Sequence, residues 1–145
     1  MPESVTRIAL FGGSGATGQE VVASALERGW QVSGLVRRAG TLSRNTSAVR
    51  EIVGSLEPRD AVRETTAGSD AIVIALGARP PYQEVFCASA TRTIIEAARA
   101  SRVEHLVCLT GAIVGDYPDN QGSLFRLMAD LFGGRASPSM RDRME

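Results

Sequence analysis

Residues 8–18 read Ile8-Ala9-Leu10-Phe11-Gly12-Gly13-Ser14-Gly15-Ala16-Thr17-Gly18. The four apolar residues have the make-up of a buried strand, and the glycines at 12, 15 and 18 form a turn that runs into a helix. In such a unit each glycine has its own task. Gly12 permits the tight turn, Gly15 lets backbone approach a ligand, and Gly18 lets the new helix pack close to the strand. The first-turn N–H groups of that helix then face an anion, the arrangement that holds a dinucleotide pyrophosphate. The spacing G-x-x-G-x-x-G is a variant of G-x-G-x-x-G, and its strand–turn–helix context gives it a weight that glycines alone lack. Gly12, Gly13, Ser14, Gly15, Ala16, Thr17 and Gly18 are therefore the candidate phosphate contacts.

Outward from this turn, apolar β-branched runs alternate with helical patterns, as in an α/β parallel sheet. Strands are predicted at 7–11, 31–36, 49–53, 71–76 and 105–109. A helix at 17–28 places Val21, Val22, Ala25 and Leu26 on one face, and Gly29 stops it. A short helix follows at 60–66. A longer one at 83–101 turns Phe86, Thr91, Ile94, Ile95 and Ala98 toward the sheet. Leu124, Leu127, Met128, Leu131 and Phe132 recur at helical spacing and predict an amphipathic helix over 122–134. Residues 39–48 read as a polar loop. Right-handed crossovers order the strands 3-2-1-4-5, a Rossmann-type doubly wound parallel sheet with helices on both faces. Its ligand crevice lies at the carboxyl ends, between the first and fourth strands.

At 145 residues the chain reads as one domain. Acidic and basic residues balance at 16 each, so no global field attracts nucleic acid or an anionic membrane. No apolar run approaches the roughly 20 residues of a bilayer span. The N-terminus lacks the basic and long apolar regions of a signal peptide, so a cytoplasmic location is expected. Cys87 and Cys108 show no metal-ligand spacing and are expected to be small buried hydrophobes, with no metal site. All 16 basic residues are arginine. The missing lysine excludes a Schiff base, a Walker-type phosphate lysine and a Tyr/Lys catalytic pair within this sequence.

The cofactor is read from the end of the second strand. An NAD-binding site there carries an acid that holds the ribose hydroxyls, but this sequence has Val36-Arg37-Arg38 and no acid between Glu27 and Glu51. A guanidinium grips a 2′-phosphate bidentately, whereas a carboxylate repels it. Arg37 and Arg38 therefore point to NADP(H), with Arg44 a weaker candidate on the next loop. After the fourth strand, Leu76, Gly77 and Ala78 leave room beside the phosphates and the nicotinamide ribose, and Arg79 is a further candidate contact. After the fifth, Thr110 and Gly111 fall where a nicotinamide would lie.

With these strand ends in place, the chain resembles the NAD(P)H-binding, atypical short-chain dehydrogenase/reductase families, in particular the biliverdin-IXβ/flavin reductase-like and NmrA-like members. The resemblance rests on IALFGGSGATGQ, VSGLVRR, GSDAIVIALGAR and VEHLVCLTGA, in order and at the expected spacing. It implies NADPH at the glycine turn and the strand-two arginine, with hydride delivered to a flat conjugated acceptor. Three departures stand out. Where the family often has an acid-containing pair near the adenine, this chain has Gly54-Ser55-Leu56, so Ser55 and Leu56 are expected to contribute backbone only. Gly111 replaces a frequent serine. The family also implies a longer chain, whose further strand and helices wall the substrate pocket.

Thr110 and Tyr117 are the candidate catalytic residues. Tyr82, after two prolines, reads as loop packing, and the lone His105 opens the fifth strand at the end away from the crevice. Reduction of a flavin, quinone or bilin needs no protein acid–base pair, because the cofactor carries the chemistry and solvent can supply the proton. Three readings stay open at this point: an NADPH-dependent reductase, a non-catalytic NADP-binding module or redox sensor, and a nucleotide-sugar epimerase relative. The partner is a small molecule, with no nucleic acid or membrane, and no residue pattern decides whether the chain forms a homodimer.

Overall fold

The β-branched and apolar runs do form strands, and all of them run parallel. In the computed structural model, which describes residues 5–42, 47–77 and 86–110, the elements are β1 (Arg7–Phe11), α1 (Ala16–Glu27), β2 (Gln31–Val36), β3 (Val49–Val53), α2 (Asp60–Thr66), β4 (Ala71–Ile74), α3 (Cys87–Ala100) and β5 (His105–Cys108). The sheet order is β3-β2-β1-β4-β5, as the crossover rule requires. Phe11 stands in register with Leu35 on β2 and with Ile74 on β4, and Ile74 with Cys108 on β5. The carboxyl ends are thus level, and the strand order reverses between β1 and β4. By internal contacts the chain divides into two compact units, residues 1–77 with 90–109 and residues 78–89 with 110–145. The sheet lies in the first.

Alternation along β1 splits the core in two. Ile8 and Leu10 face a cluster with Val22 and Ala25 of α1, Val32, Val36, Leu42 and Ala71; Val21, Leu26 and Trp30 pack at its margin. Ala9 and Phe11 face the other side, with Val62 of α2, Ile72, Ile74, and Ile94, Ala97 and Ala98 of α3. A strand stretch buried on both faces has to be continuously apolar, and β1 is from Ile8 to Phe11.

The helix ends follow local rules. Gly29 (φ +72°) takes the left-handed position after α1, and the Gly29 and Trp30 amides return to the Leu26 and Ala25 carbonyls at 2.9 Å each. After α3 the same closure places Arg102 at φ +56°, with Val103 N–H donating to Ala98 O at 2.9 Å.

Several expectations shift. α1 starts and stops one residue earlier than predicted, and the ladder strands β4 and β5 end at Ile74 and Cys108. α3 is helical from Cys87, and its buried seam is Ala90, Thr93, Ile94, Ala97 and Ala98, not Thr91 and Ile95. Positions 90, 94, 97 and 98 fall on one helical face, which turns Thr91 and Ile95 to the half-buried flank. Cys87 is buried, but Cys108 is exposed with the rest of β5, which pairs only with β4 among the described residues. The predicted helix over 122–134 lies outside the described residues. Among the described residues no helix is long and apolar enough to cross a membrane, and no cluster of His, Cys, Asp or Glu could hold a metal ion.

Candidate functional site

The glycine turn is shaped by backbone packed on backbone. Gly12 has φ +90°, and a Cβ there would lie 2.4 Å from the Ala75 carbonyl oxygen at the end of β4. A Cβ at Gly18 would lie 2.3 Å from the Gly12 carbonyl oxygen and 2.6 Å from Gly13 Cα. Both positions admit only glycine, and the reason lies within the protein. Gly15 differs. Its φ of −80° suits any residue, and a Cβ would meet nothing nearer than the Gly12 carbonyl oxygen at 3.6 Å. No described contact demands a glycine there.

Gly15 is also the N-cap of α1, and it provides no capping side chain. The first helical bond is Gln19 N–H to Gly15 O at 3.0 Å. The amides of Ala16, Thr17 and Gly18 therefore keep their hydrogens uncommitted among the described residues, and the first turn carries no acid. Ser14, Ala16 and Thr17 are exposed, so this end of the helix dipole faces outward with its positive pole uncompensated.

The segment after β2 is held differently. Leu42, within the run read as a polar loop, is fully buried and fills the space over two glycines. A Cβ at Gly34 would lie 2.2 Å from Leu42 Cδ1, and one at Gly13 2.5 Å from Cδ2. Glu51 on β3 accepts the Gly40 amide at 2.6 Å with one carboxylate oxygen and the Leu42 amide at 2.5 Å with the other. Gln19 Nε2 donates to both Gly13 O (2.9 Å) and Thr41 O (3.1 Å), joining this loop to the glycine turn. The Thr41 hydroxyl donates to the Arg38 carbonyl.

Arg37 and Arg38 themselves are exposed, and neither guanidinium has a partner among the described residues. Other arginines are committed: Arg50 pairs with Glu64 at 2.5 Å, Arg59 with Glu96, and Arg7 with Gln31 at 2.8 Å. The first acid downstream of the corner, Glu51, has both oxygens taken by loop amides. Its carboxylate is thus committed to holding the loop.

The remaining expected site residues fall as follows. Ser55 is exposed and its hydroxyl donates to the Glu57 carbonyl; Leu56 and Leu76 are half-buried against the second core cluster. Gly77 is exposed beyond β4, and Thr110 is exposed two residues past β5. Ala78, Arg79, Gly111 and Tyr117, together with Arg44 and Tyr82, lie outside the described residues. Sequence reading missed Gln19, Leu42 and Glu51. Only one signal pointed to them, an apolar leucine alone in a polar stretch.

A level parallel sheet, a strand reversal between β1 and β4, and an uncapped helix start over a glycine turn define a dinucleotide-binding domain of the Rossmann type. The sequence matches the NAD(P)H-binding family over residues 12–138, and the chain belongs to that family. Solved structures share the fold. An anaerobillin reductase from Escherichia coli O157:H7 superposes with TM-score 0.69 at 18% identity, over 96% of this chain and 64% of its own. The oxidoreductase ylbE from Lactococcus lactis gives 0.71 at 14% identity, over 95% and 59%. A wide-type short-chain dehydrogenase/reductase from Veillonella parvula, solved with NADP, gives 0.63 at 13%, over 75% and 49%. This chain spans about half to two-thirds of the length of these structures.

Proposed function

We propose that this chain is the NADP(H)-binding part of a reductase that passes hydride to a flat conjugated acceptor such as a flavin, quinone or bilin. One observation carries the choice of NADP(H) over NAD(H). Among the described residues the two guanidiniums at the corner after β2 are exposed without partners, while Glu51, the first acid downstream, accepts the Gly40 and Leu42 amides. A 2′-phosphate supplies the missing counter-charge, and a bare ribose has no carboxylate to bind.

The residues present fit the cofactor. The amides of Ala16, Thr17 and Gly18 would donate to the pyrophosphate, and the clearance at Gly15 would let it approach. Gly12, Gly13 and Ser14 shape the turn on which it rests. Backbone at Ser55 and Leu56 would border the adenine, with Leu76 and Gly77 beside the nicotinamide half. When bound, the cofactor supplies the hydride; the chain binds and orients it. The fold shared with a solved anaerobillin reductase supports a bilin among these acceptors.

The test is NADPH and NADH oxidation with flavin, quinone or bilin as acceptor. Turnover with NADPH well above NADH is expected. A rate no higher than without protein would overturn the reductase reading and, with tight NADPH binding retained, leave a non-catalytic binding module. Arg37→Ala with Arg38→Ala should weaken NADP+ binding by at least about tenfold to a hundredfold, since even one lost bond to a charged group is worth about 1.5–3 kcal/mol, and leave NAD+ binding nearly unchanged.

A further inference from the structure

We infer that Glu51 and Thr41 are positioning residues that hold the loop after β2 in the shape that presents Arg37 and Arg38, so that Glu51 sets the preference for a 2′-phosphorylated dinucleotide without touching it. This rests on the reading of Arg37 and Arg38 given above and adds residues outside the contact set.

Residues 37–42 lie beyond the last β2–β3 ladder pair, Val36 with Val53. The backbone of this loop is tied down by side chains instead. The Arg38 carbonyl accepts the Thr41 hydroxyl, the Thr41 carbonyl accepts Gln19 Nε2 at 3.1 Å, and the Gly40 and Leu42 amides converge on Glu51 at 2.6 and 2.5 Å. Three elements contribute: α1, the loop itself and β3. Glu51 stands in register with Gly34, whose open face Leu42 covers, so the carboxylate grips the loop at the residue that anchors it in the core.

Bonds from backbone amides to a carboxylate are charge-assisted and about twice as strong as neutral ones. Two of them on alternate residues fix the chain direction on either side of Thr41, and the Thr41 hydroxyl carries that constraint back to Arg38. The guanidiniums themselves sit on long, exposed side chains, which make bidentate bonds only if their backbone is already placed. A second consequence concerns the carboxylate itself. Each Glu51 oxygen already accepts an amide of the loop, so this acid is committed to shaping the loop.

The experiment is isothermal titration calorimetry of the full chain with NADP+ and with NAD+. The variants are Glu51→Gln, Thr41→Val, Arg37→Ala/Arg38→Ala, and that double variant combined with Glu51→Gln. Urea midpoints confirm that each is folded. Glu51→Gln replaces one acceptor with a donor that opposes a backbone N–H. It should weaken NADP+ roughly tenfold, with less than about a threefold change for NAD+. Thr41→Val, which keeps the volume and removes only the hydroxyl, should act in the same direction and more weakly, and it carries the test if Glu51→Gln does not fold. In the arginine-free background Glu51→Gln should add nothing, because a residue that acts through the arginines has no lever once they are gone.

Equal losses for NADP+ and NAD+, an unchanged ratio in both single variants, or a full penalty persisting without the arginines would each overturn the inference. Loss of preference in the arginine variant with none in the Glu51 and Thr41 variants sinks this inference alone. A wild-type preference surviving without the arginines sinks the arginine reading, and this one with it.

Discussion

Two segments at the carboxyl ends of β1 and β2 face the same task and are built by opposite means. The turn at 12–18 has almost no side chains and is set by steric exclusion: Gly12 against the Ala75 carbonyl and Gly18 against the Gly12 carbonyl. The loop at 37–42 is set by side chains reaching in from elsewhere, Gln19, Glu51 and the buried Leu42. Steric exclusion is all-or-none, and it suits the pyrophosphate that every dinucleotide shares. Hydrogen-bonded loops can be retuned one residue at a time, which suits the part of the ligand that varies. The two devices meet at Gln19, which bonds to both, and at Leu42, which packs over Gly13.

The comparison breaks first at its steric side. Gly12→Val would force a β-branched residue into φ +90° with its Cβ on the Ala75 carbonyl. A loss on the order of 4 kcal/mol is expected in urea unfolding, together with loss of all nucleotide binding. A variant as stable as wild type would show that the turn relaxes.

Leu42→Ala comes next. Removing a fully buried leucine from the first core cluster should cost about 3 kcal/mol and lower NADP+ affinity more than NAD+ affinity, because the loop loses its anchor. Equal weakening of both would place Leu42 in the turn and not in the loop.

Gly15→Ser sharpens the contrast between the glycines. Serine is a good N-cap, and its Cβ would meet nothing nearer than the Gly12 carbonyl oxygen at 3.6 Å, so stability should hold or rise by a few tenths of a kcal/mol. Nucleotide affinity should nonetheless fall about tenfold, because the added side chain stands where the phosphates approach. Unchanged affinity would mean that Gly15 is not facing the ligand.

The smallest effect belongs to the opposite end of the sheet, which serves as a control. The Thr6 and Arg7 amides donate to Asp70 at 2.8 Å each and hold its carboxyl below the usual 3.8. A lowered folded-state pKa stabilises the protein above the unfolded value, and that stabilisation is lost as pH falls below about 3.8. Asp70→Asn should therefore be less stable than wild type at neutral pH, and that deficit should shrink as pH falls below about 3.8, with nucleotide affinity untouched throughout. A deficit that stays constant with pH would assign the effect to packing.

Much of this was legible from local pattern. The five strands, their order and the glycine turn follow from apolar alternation, chain-reversal rules and residue types that only one backbone shape requires. Arg37 and Arg38 were legible because they sit at a fixed offset from that turn. Leu42 was not, since its burial depends on vacancies at Gly13 and Gly34, residues 29 and 8 positions away. Glu51 was noted only as an acid too far along the chain, because sequence distance hides that β3 lies beside β2. Cys108 was misjudged because an apolar run looks the same in a covered strand and in one whose residues are exposed.

The sequence by itself determined a parallel α/β sheet, a glycine turn running into a helix at 12–18 and the basic corner at 37–38. These depend on short-range backbone sterics and on the period of apolar residues, which a linear reading contains. The tertiary structure decided which glycines serve the protein and which leave room for a ligand, and which acid is engaged and which arginines are not. Those are questions of what lies across a strand pairing or against a Cβ position, and only the folded chain brings those atoms together.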